Sequence, residues 1–396
     1  MRAHNIPQKE RLDKLFIIQN KRNKQLKTTQ YKKNGKFPII GQSSDFICGY
    51  SDNHNLVRND IPVIVFGDHT KVVKFIDFPF IAGADGIQIL KPIPGIDINY
   101  LYYVILNAAA KMGDYGYSRH LKYLKESIVD YTLDMKKQIK LTQVLVTLDK
   151  QLIQNNLPAV YRTIREGMLQ DLFTRGIDVN TGKLRPSYNE APELYKSSIL
   201  GNIPKNWQCK VLKIVIEQTI DNRGKTPPVV NSHGIELVET ISINNVELAP
   251  DYSKVTKFVT HSTFKHGFRH YLEKNDILIS TVGEYAGSTA ILTEKRGAIA
   301  QNLVGLRVTA KNSPYYVFYW FKTEFFIKAI RQVLMNSAQP SLNVSNLLNF
   351  SIQCPPLEEQ LLIAERLKAI DNLILSETNM LCKLSKLKEG LMNSLF

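Results

Sequence analysis

Apolar and polar residues alternate in two different ways along the chain, and each way predicts its own kind of structure. Residues 37–132 and 205–354 hold short apolar runs such as IPVIVF, DILIST and LVGLRV, punctuated by Gly, Pro and Asn. Runs of β-branched and aromatic residues between turn formers predict short strands. Residues 133–173 and 356–396 instead repeat Leu or Ile every three or four positions, which is typical of a helix with one apolar face.

The two helical tails are predicted to pack against each other in antiparallel orientation. At about 1.5 Å per residue each would run roughly 60 Å, which is longer than a small domain is wide. That length favours mutual pairing over the alternative, a helix lying only on its own domain. Pro158 removes a backbone donor and predicts a kink or break at about 155–158. The residues expected to pack these helices and dock partners are Leu141, Leu145, Leu148, Leu152, Leu367, Ile370, Ile374 and Leu381.

The two halves of the chain repeat each other. REGMLQDLF (165–173) returns as KEGLMNSLF at residues 388–396, and NDIPVIVFGD (59–68) returns as NDILISTVGE at residues 275–284. Further matches in the same order align Gln138 with Gln360, Asp149 with Asp371, and Tyr103 with Tyr319. Ordered matches of this kind predict an internal duplication of a domain together with its helix.

Length and charge narrow the class of protein. A chain of 396 residues is too long for one ordinary core, so two or more domains are expected. Lys and Arg exceed Asp and Glu by 51 − 36 = 15, and eleven of the cations lie in residues 1–36. This excess favours a polyanionic partner, either nucleic acid or an anionic membrane surface.

Several sequence features predict a cytoplasmic protein. No apolar run approaches the eighteen residues of a membrane helix, and the start MRAHNIPQKERLDK lacks the apolar core of a signal peptide. Cys48, Cys209, Cys354 and Cys382 are far apart and show no CxxC spacing, so they are expected to be reduced thiols.

Several longer stretches resemble one known family. They are PPLEEQLLIAERLKAID (355–371), REGMLQDLFTRGID (165–178), IPKNW (203–207), DNRGKTPP (221–228), FGDHT (66–70) and GYSRHLK (116–122). In this order they resemble the specificity subunit of type I restriction–modification systems over nearly the whole chain. Two departures are Pro158 in the first helix and the absence of an IPKNW-like opening from the first domain.

The resemblance implies an α+β fold: two pseudo-repeated α/β globular target recognition domains separated by two long helices that form an antiparallel coiled coil. The implied segments are domain one (1–132), the central helix (133–176), a linker plus domain two (177–354), and the C-terminal helix (355–396). Each domain of such a subunit reads one half of a bipartite double-stranded DNA target. The helices set the unread gap and dock two methyltransferase subunits, and two restriction subunits complete the complex.

The sequence provides no recognisable catalytic motif. The Pro-Pro pairs TPPVV and CPPLE lack the preceding Asn or Asp and the following aromatic residue of an amino-methyltransferase loop. RGKTP resembles the end of a phosphate loop, but Thr219 stands where its first Gly is required. The histidines of HSTFKHGFRH fit no usual zinc spacing, so a basic loop facing DNA is favoured over a metal site.

We therefore expect a non-catalytic recognition subunit that binds no metal or cofactor itself. S-adenosylmethionine would act through partner subunits, and so would ATP and Mg²⁺ in the full complex. No membrane partner is expected. Two alternatives stay open: a stand-alone DNA methyltransferase or endonuclease, and a non-enzymatic coiled-coil DNA-binding scaffold.

DNA recognition needs cations for phosphates and planar donors or acceptors for base edges. FGDHT and GYSRHLK are the candidate reading segments of domain one, and DNRGKTPP heads those of domain two. The predicted DNA-binding residues are His69, Thr70, Lys71, Tyr117, Arg119 and His120 in domain one, and Arg223, Lys225, Thr226, Arg269, His270, Gln301 and Asn302 in domain two.

Overall fold

A computed structural model describes residues 8–20, 25–84, 86–113, 116, 118–224, 226–243, 247–283, 285–335 and 341–396. The chain divides into two compact units. Unit 1 comprises residues 1–155 together with 379–396, and unit 2 comprises residues 156–378. Among the described helices, none is both long and apolar enough to cross a bilayer.

Unit 1 begins with strands and ends with helices. Its described strands are β1 (Gln8–Arg11), β2 (Phe16–Ile18), β3 (Gln25–Leu26), β4 (Phe37–Ile40), β5 (Gly49–Ser51), β6 (Val57–Arg58), β7 (Val63–Gly67), β8 (Val73–Ile76), β9 (Phe80–Gly83), β10 (Ile87–Pro92) and β11 (Ile128–Tyr131). Its helices are α1 (Ile98–Lys111), α2 (Leu121–Glu126) and α3 (Met135–Gln154), and it also contains the last part of the C-terminal helix.

The described strands of unit 1 form two main sheets and a separate pair. One sheet has the antiparallel order β2-β10-β7-β8. The other has the order β3-β9-β4-β5, in which β4 and β9 are parallel and β6 lies beside β9. The separate pair joins β1 to β11, which brings the start of the domain to its end.

Unit 2 opens with the second half of the first helical tail. Its helices are α4 (Leu157–Thr174), α5 (Leu212–Val215), α6 (His261–Gly267), α7 (Pro314–Trp320), α8 (Glu324–Met335), α9 (Val344–Leu348) and the first part of α10 (Leu357–Leu395). Its described strands are β12 (Ile177–Asp178), β13 (Lys183–Leu184), β14 (Tyr195–Ser198), β15 (Gly201–Pro204), β16 (Gln208–Val211), β17 (Ile216–Ile220), β18 (Ile235–Val238), β19 (Phe258–Val259), β20 (Ile277–Ser280), β21 (Thr289–Ile291), β22 (Ala298–Ile299), β23 (Leu303–Val308) and β24 (Ser351–Cys354).

The topology of unit 2 repeats that of unit 1. The sheet β17-β23-β20-β21 has the same order as β2-β10-β7-β8. The sheet β19-β18-β22 matches β5-β4-β9, including one parallel pairing, and β16-β24 matches β1-β11. The predicted internal duplication and the mixed α and β composition are therefore confirmed, with β12 to β15 added in unit 2.

The structure also identifies how the first domain begins. The IPKNW opening is absent there, yet β1 occupies the place of β16 and Leu12 the place of Leu212, both fully buried. The equivalence was invisible in sequence because a pairing between residues 8–11 and 128–131 is a long-range contact. The sequences of the two domain starts are too different to show the equivalence without that contact.

Pro158 separates the first helical tail into two helices. Helix α3 ends at Gln154 and α4 begins at Leu157, with Pro158 in the first turn. In that position proline removes no helical hydrogen bond, since the first N–H groups of a helix have no intrahelical partner. The predicted break is confirmed.

Each unit contains one segment of an antiparallel helix pair. In unit 1, Leu145 of α3 shares an apolar core with Met392 and Phe396 at the chain end. In unit 2, Phe173 at the end of α4 shares a core with Leu367 near the start of α10. Burying a phenylalanine side chain contributes about 1.5–3 kcal/mol, so the final residue of the chain stabilises the first domain.

The glutamines aligned by the duplication make equivalent contacts. Gln138, fully buried on α3, accepts the backbone N–H of Asp97 (2.6 Å) at the start of α1. Gln360, 1% exposed on α10, accepts the backbone N–H of Ser313 (2.9 Å) at the start of α7. Each glutamine ties its domain helix to the first turns of the long helix that follows.

Candidate nucleic-acid interface

In unit 1 the loop after β7 presents the FGDHT segment. Gln42 holds this segment through two hydrogen bonds. Its side-chain oxygen accepts the His69 N–H (3.2 Å), and its backbone carbonyl accepts the Thr70 hydroxyl (2.6 Å). Thr70 is exposed, and the left-handed backbone lies at Lys71 (φ 60°). Gly67 is required for close approach instead, because a Cβ there would collide with Thr70.

A buried lysine holds the segment that carries Gln42. Lys74, 4% exposed, donates to the carbonyls of Gly41 (2.9 Å) and Asp45 (2.5 Å). Burial lowers the pKa of this amine. Gln42 and Lys74 were missed in the sequence because neither belongs to a motif, and their partners are distant in the chain.

Asp68 fixes the second predicted segment of unit 1. Its backbone carbonyl accepts the N–H of His120 (2.6 Å), and its carboxylate accepts the N–H of Leu121 (2.8 Å). The two predicted segments, FGDHT and GYSRHLK, are thereby brought together. His120 is only 2% exposed, which favours a packing role over contact with DNA, whereas Arg119 is exposed.

A cationic cleft lies beside this junction, with a volume of about 370 Å³. Besides the predicted Arg119, it contains Lys122 of the GYSRHLK segment, and Arg11 and Lys125, which no motif indicated. The lining residues are Arg11, Asp68, Gln88, Arg119, Leu121, Lys122, Lys125 and Glu126.

In unit 2 a buried asparagine gathers the predicted residues. Asn222, 7% exposed, accepts the backbone N–H groups of Arg269 and His270, each at 3.0 Å. Its amide donates to the carbonyls of His270 (2.8 Å) and Ile299 (3.2 Å). Four hydrogen bonds from one side chain hold the DNRGKTPP segment against two others. Asn222 lies inside the DNRGKTPP motif, but an asparagine there could equally be a buried structural residue or a DNA contact.

Two arginines lie at the surface of this junction. Arg223 donates twice to the Asp221 carboxylate, at 2.9 and 2.6 Å, and lowers the pKa of that carboxyl. Arg269 is exposed and donates to the Arg223 carbonyl (2.6 Å). The His270 ring nitrogen Nδ1 lies 3.1 Å from the Asp221 carbonyl oxygen.

Gln301 and Asn302 form the third part of the same surface. The Gln301 amide donates to the Thr226 hydroxyl (2.5 Å), and both residues are exposed. Asn302 has a left-handed backbone (φ 67°) and occupies the position of Gly86 (φ 68°) in the first domain. Asparagine tolerates this conformation better than most residues, and here it adds an amide to the turn.

Some predictions fall elsewhere. Tyr117 and Lys225 lie outside the described residues. His261 and His266 are exposed on α6, and the described part of the chain contains no group of three His, Cys, Asp or Glu residues suited to a metal.

The predicted helix-packing residues mostly face inward. Leu145 and Leu367 are fully buried, and Leu148, Ile370 and Ile374 are 6–7% exposed. Leu141, Leu152 and Leu381 are half-buried.

Comparison with known proteins finds similar sequences in type I restriction systems. The model of the type I restriction modification DNA specificity domain matches residues 204–385. The type I restriction enzyme MjaVIII specificity subunit of Methanocaldococcus jannaschii is 26% identical over 268 residues, which is 66% of this chain and 59% of that protein. The putative MjaX specificity subunit from the same organism is 31% identical over 217 residues, or 52% of this chain and 48% of that protein. The matches thus span between about half and three fifths of these relatives.

Solved structures agree on the fold. The type I restriction–modification S subunit from M. genitalium has a TM-score of 0.66 and 15% identity, covering 100% of this chain and 98% of that chain. A chain from a study of assembly and conformational transition of the type I R-M system has a TM-score of 0.52 and 14% identity, covering 99% and 98%. Residues 204–385 thus match the type I restriction modification DNA specificity domain, and the chain shares the fold of these solved structures.

Proposed function

We propose that this chain is the DNA-specificity subunit of a type I restriction–modification complex, and that each of its two domains reads one half of a bipartite target. The observation that carries the proposal is the duplication of the fold, with a junction of polar segments in each copy. In both domains, hydrogen bonds from polar side chains join separate polar segments, at Gln42 and Asp68 in one domain and at Asn222 in the other. Two similar surfaces in one chain suit two separate half-sites.

The two surfaces offer the chemistry that DNA recognition needs. Arg119, Arg223 and Arg269 supply guanidinium groups, which pair with phosphates or with the major-groove edge of guanine. Thr70, Gln301 and Asn302 supply short, exposed donors and acceptors. These residues form the proposed contact set, and which base each of them reads depends on the target.

We further propose that the helices dock two methyltransferase subunits and that two restriction subunits complete the assembly. Exposed apolar residues on the helices support a partner surface. Leu157, Val160 and Ile164 of α4 are 38–48% exposed at helical spacing, and Leu361 of α10 is 53% exposed. In this proposal the chain binds no cofactor itself; S-adenosylmethionine, ATP and Mg²⁺ bind to the partner subunits.

The purified chain alone is expected neither to methylate nor to cleave DNA. Methylation should appear when the cognate methyltransferase is added, and should saturate at two methyltransferases per chain. The measurement is transfer of a labelled methyl group to DNA, with mass measurement of the complex. Turnover by the chain alone would support the alternative of a stand-alone enzyme. Methylation by the complex without sequence preference would support the scaffold alternative.

The cationic cleft of unit 1 is expected to bind DNA phosphates. Replacing Lys122 and Lys125 with alanine should weaken binding by the methyltransferase complex equally for all first half-site sequences. The slope of log affinity against log salt is negative, and each lost phosphate contact makes it less steep by about 0.9. The slope for the double variant should therefore be less steep by about 2. Arg119→Ala should instead weaken binding of the intact target more than that of a target with an altered first half-site.

Lys328→Ala is the matched control, because Lys328 is an exposed lysine of unit 2 paired with Glu324. It should leave the salt slope unchanged. An unchanged slope in the Lys122 and Lys125 variant would remove the cleft from the DNA interface.

A further inference from the structure

The duplication preserves a set of contacts made by residues outside the proposed DNA contact set. In unit 1 Asp149 of α3 receives two donors, one on each carboxylate oxygen. The Tyr103 hydroxyl of α1 donates to Oδ2 (2.7 Å), and the Lys388 amine of α10 lies 2.6 Å from Oδ1. Tyr103 is 2% exposed, and the side chains of Lys388 and Asp149 are 22% and 24% exposed. Tyr103, Asp149 and Lys388 are the first clamp.

Unit 2 contains the equivalent arrangement. The Tyr319 hydroxyl of α7 donates to Oδ2 of Asp371 on α10 (2.7 Å), and Arg165 of α4 donates to Oδ1 (3.0 Å). Tyr319 is 1% exposed, and the side chains of Arg165 and Asp371 are 20% and 10% exposed. Tyr319, Asp371 and Arg165 are the second clamp. In each clamp, the tyrosine comes from the domain and the two charged residues come from the two long helices.

The clamp tyrosines are held as neutral donors. Burial raises the pKa of Tyr103 and of Tyr319, and the hydrogen-bonded aspartate adds to the increase. The cation balances the aspartate charge on its second oxygen. Hydrogen bonds to a charged acceptor are shorter and stronger than those between neutral groups. Because the two carboxylate oxygens receive different donors, each clamp defines a geometry as well as an attachment.

Two further contacts continue the attachment along the same face of each domain helix. On α1, Asp97 is bound by Gln138, and Tyr100 packs against Phe396 with ring centres 5.4 Å apart. Asp97, Tyr100 and Tyr103 are three residues apart, so they lie on one side of the helix. Three attachments spread along this side restrain the direction of the domain helix more than a single contact would.

The same three points recur on α7. Ser313 is bound by Gln360, and Tyr316 stacks on Phe173 with ring centres 4.8 Å apart. Tyr319 then joins the second clamp. The second clamp has one addition: Lys322, at the position of Leu106 in the first domain, is half-buried and donates to the Thr289 carbonyl (2.8 Å).

We infer that the clamp residues are positioning residues that hold each recognition domain at a fixed angle on the helices it contacts, and so make the complex selective for one gap length between half-sites. The inference rests on the proposed function. None of the six residues belongs to the proposed DNA contact set. An effect of their substitution on target choice must therefore act through the orientation of the domains.

The test uses the full complex with the methyltransferase. Its substrates keep both half-sites and vary the gap by one or two base pairs on either side of the preferred length. Tyr103→Phe and Asp149→Asn test the first clamp, and Tyr319→Phe and Asp371→Asn test the second. Methylation of the neighbouring gap lengths, relative to the preferred gap, is expected to rise about tenfold, the effect of losing one hydrogen bond to a charged group. The half-site sequences should stay the same.

Two kinds of control separate positioning from stability. Arg165→Lys and Lys388→Arg exchange the cations that the two clamps already use, so both should keep the original gap selectivity. Val104→Ala removes buried volume from α1 without touching the clamp. It should lower the melting temperature and leave gap selectivity unchanged.

The outcomes are distinguishable. Wild-type selectivity in the tyrosine and aspartate variants, with or without a lower melting temperature, would overturn the inference and leave the proposed function standing. Loss of gap selectivity in Val104→Ala to the same extent would also overturn it. If the wild-type complex recognises no split target at all, the proposed function fails and the inference fails with it. The tyrosine variants delete only a hydroxyl group. They therefore test the clamps even if the aspartate variants do not fold.

Discussion

Replacing residues 208–354 with the matching segment of a relative is expected to change one half of the DNA target and leave the other half intact. These boundaries follow from the structure. Strand β16 pairs with β24, so a segment that includes both strands carries its own closing pair. Trp207, fully buried, and the helix α10 stay with the original chain. Specific sites are typically bound about 10³-fold or more tighter than non-specific DNA, so loss of the old half-site should be nearly complete.

The reciprocal exchange of residues 8–131, bounded by β1 and β11, is the matched control and should change only the other half. The measurement is the set of methylated sites in DNA from cells that carry the complete system. A change in both halves after either exchange would show that the domains do not read independently.

Lengthening both helical tails by four residues is expected to increase the gap between half-sites by about one or two base pairs. Four helical residues add about 6 Å and rotate the helix about 40° beyond a full turn, so the apolar face is nearly retained. DNA advances about 3.4 Å per base pair. An insertion after Val146 would move Asp149 away from Tyr103. The insertions therefore belong after Gln154 in the first tail and after Thr378 in the second, where both clamps stay intact.

An insertion of four residues after Ile199, which is exposed in the turn between β14 and β15, is the control and should leave the gap unchanged. Methylation of targets with different gaps provides the measurement. If folded and active variants with lengthened helices keep the original gap, the helices do not set it, and their role is limited to docking the methyltransferase.

The candidate site was predictable where a motif lies on a loop. DNRGKTPP pointed to Arg223 and Thr226, and the structure places Arg269, His270, Gln301 and Asn302 beside them. The supporting residues Gln42, Lys74 and Asn222 were not predictable. Buried polar residues act through partners that are remote in sequence, and a single sequence does not indicate which partners they meet.

The boundary of the first domain illustrates a different limit. Its first strand carries QKER, a polar stretch without strand periodicity. Pairing with β11 makes it a strand, because backbone hydrogen bonds to a partner strand do not require apolar side chains. The pattern of residues in β1 therefore contained too little information to locate it.

The duplication, the helical tails and the break before Pro158 could all be predicted from local patterns of residues. Helical periodicity and the missing N–H of proline are local properties that a sequence records directly. The contacts of Tyr103, Asp149 and Lys388, and the packing of Phe396 in the core of the first domain, became visible in the folded structure. Those contacts join positions that are far apart in the chain. They depend on how strands, domain helices and long helices pack, and no local pattern specifies that packing.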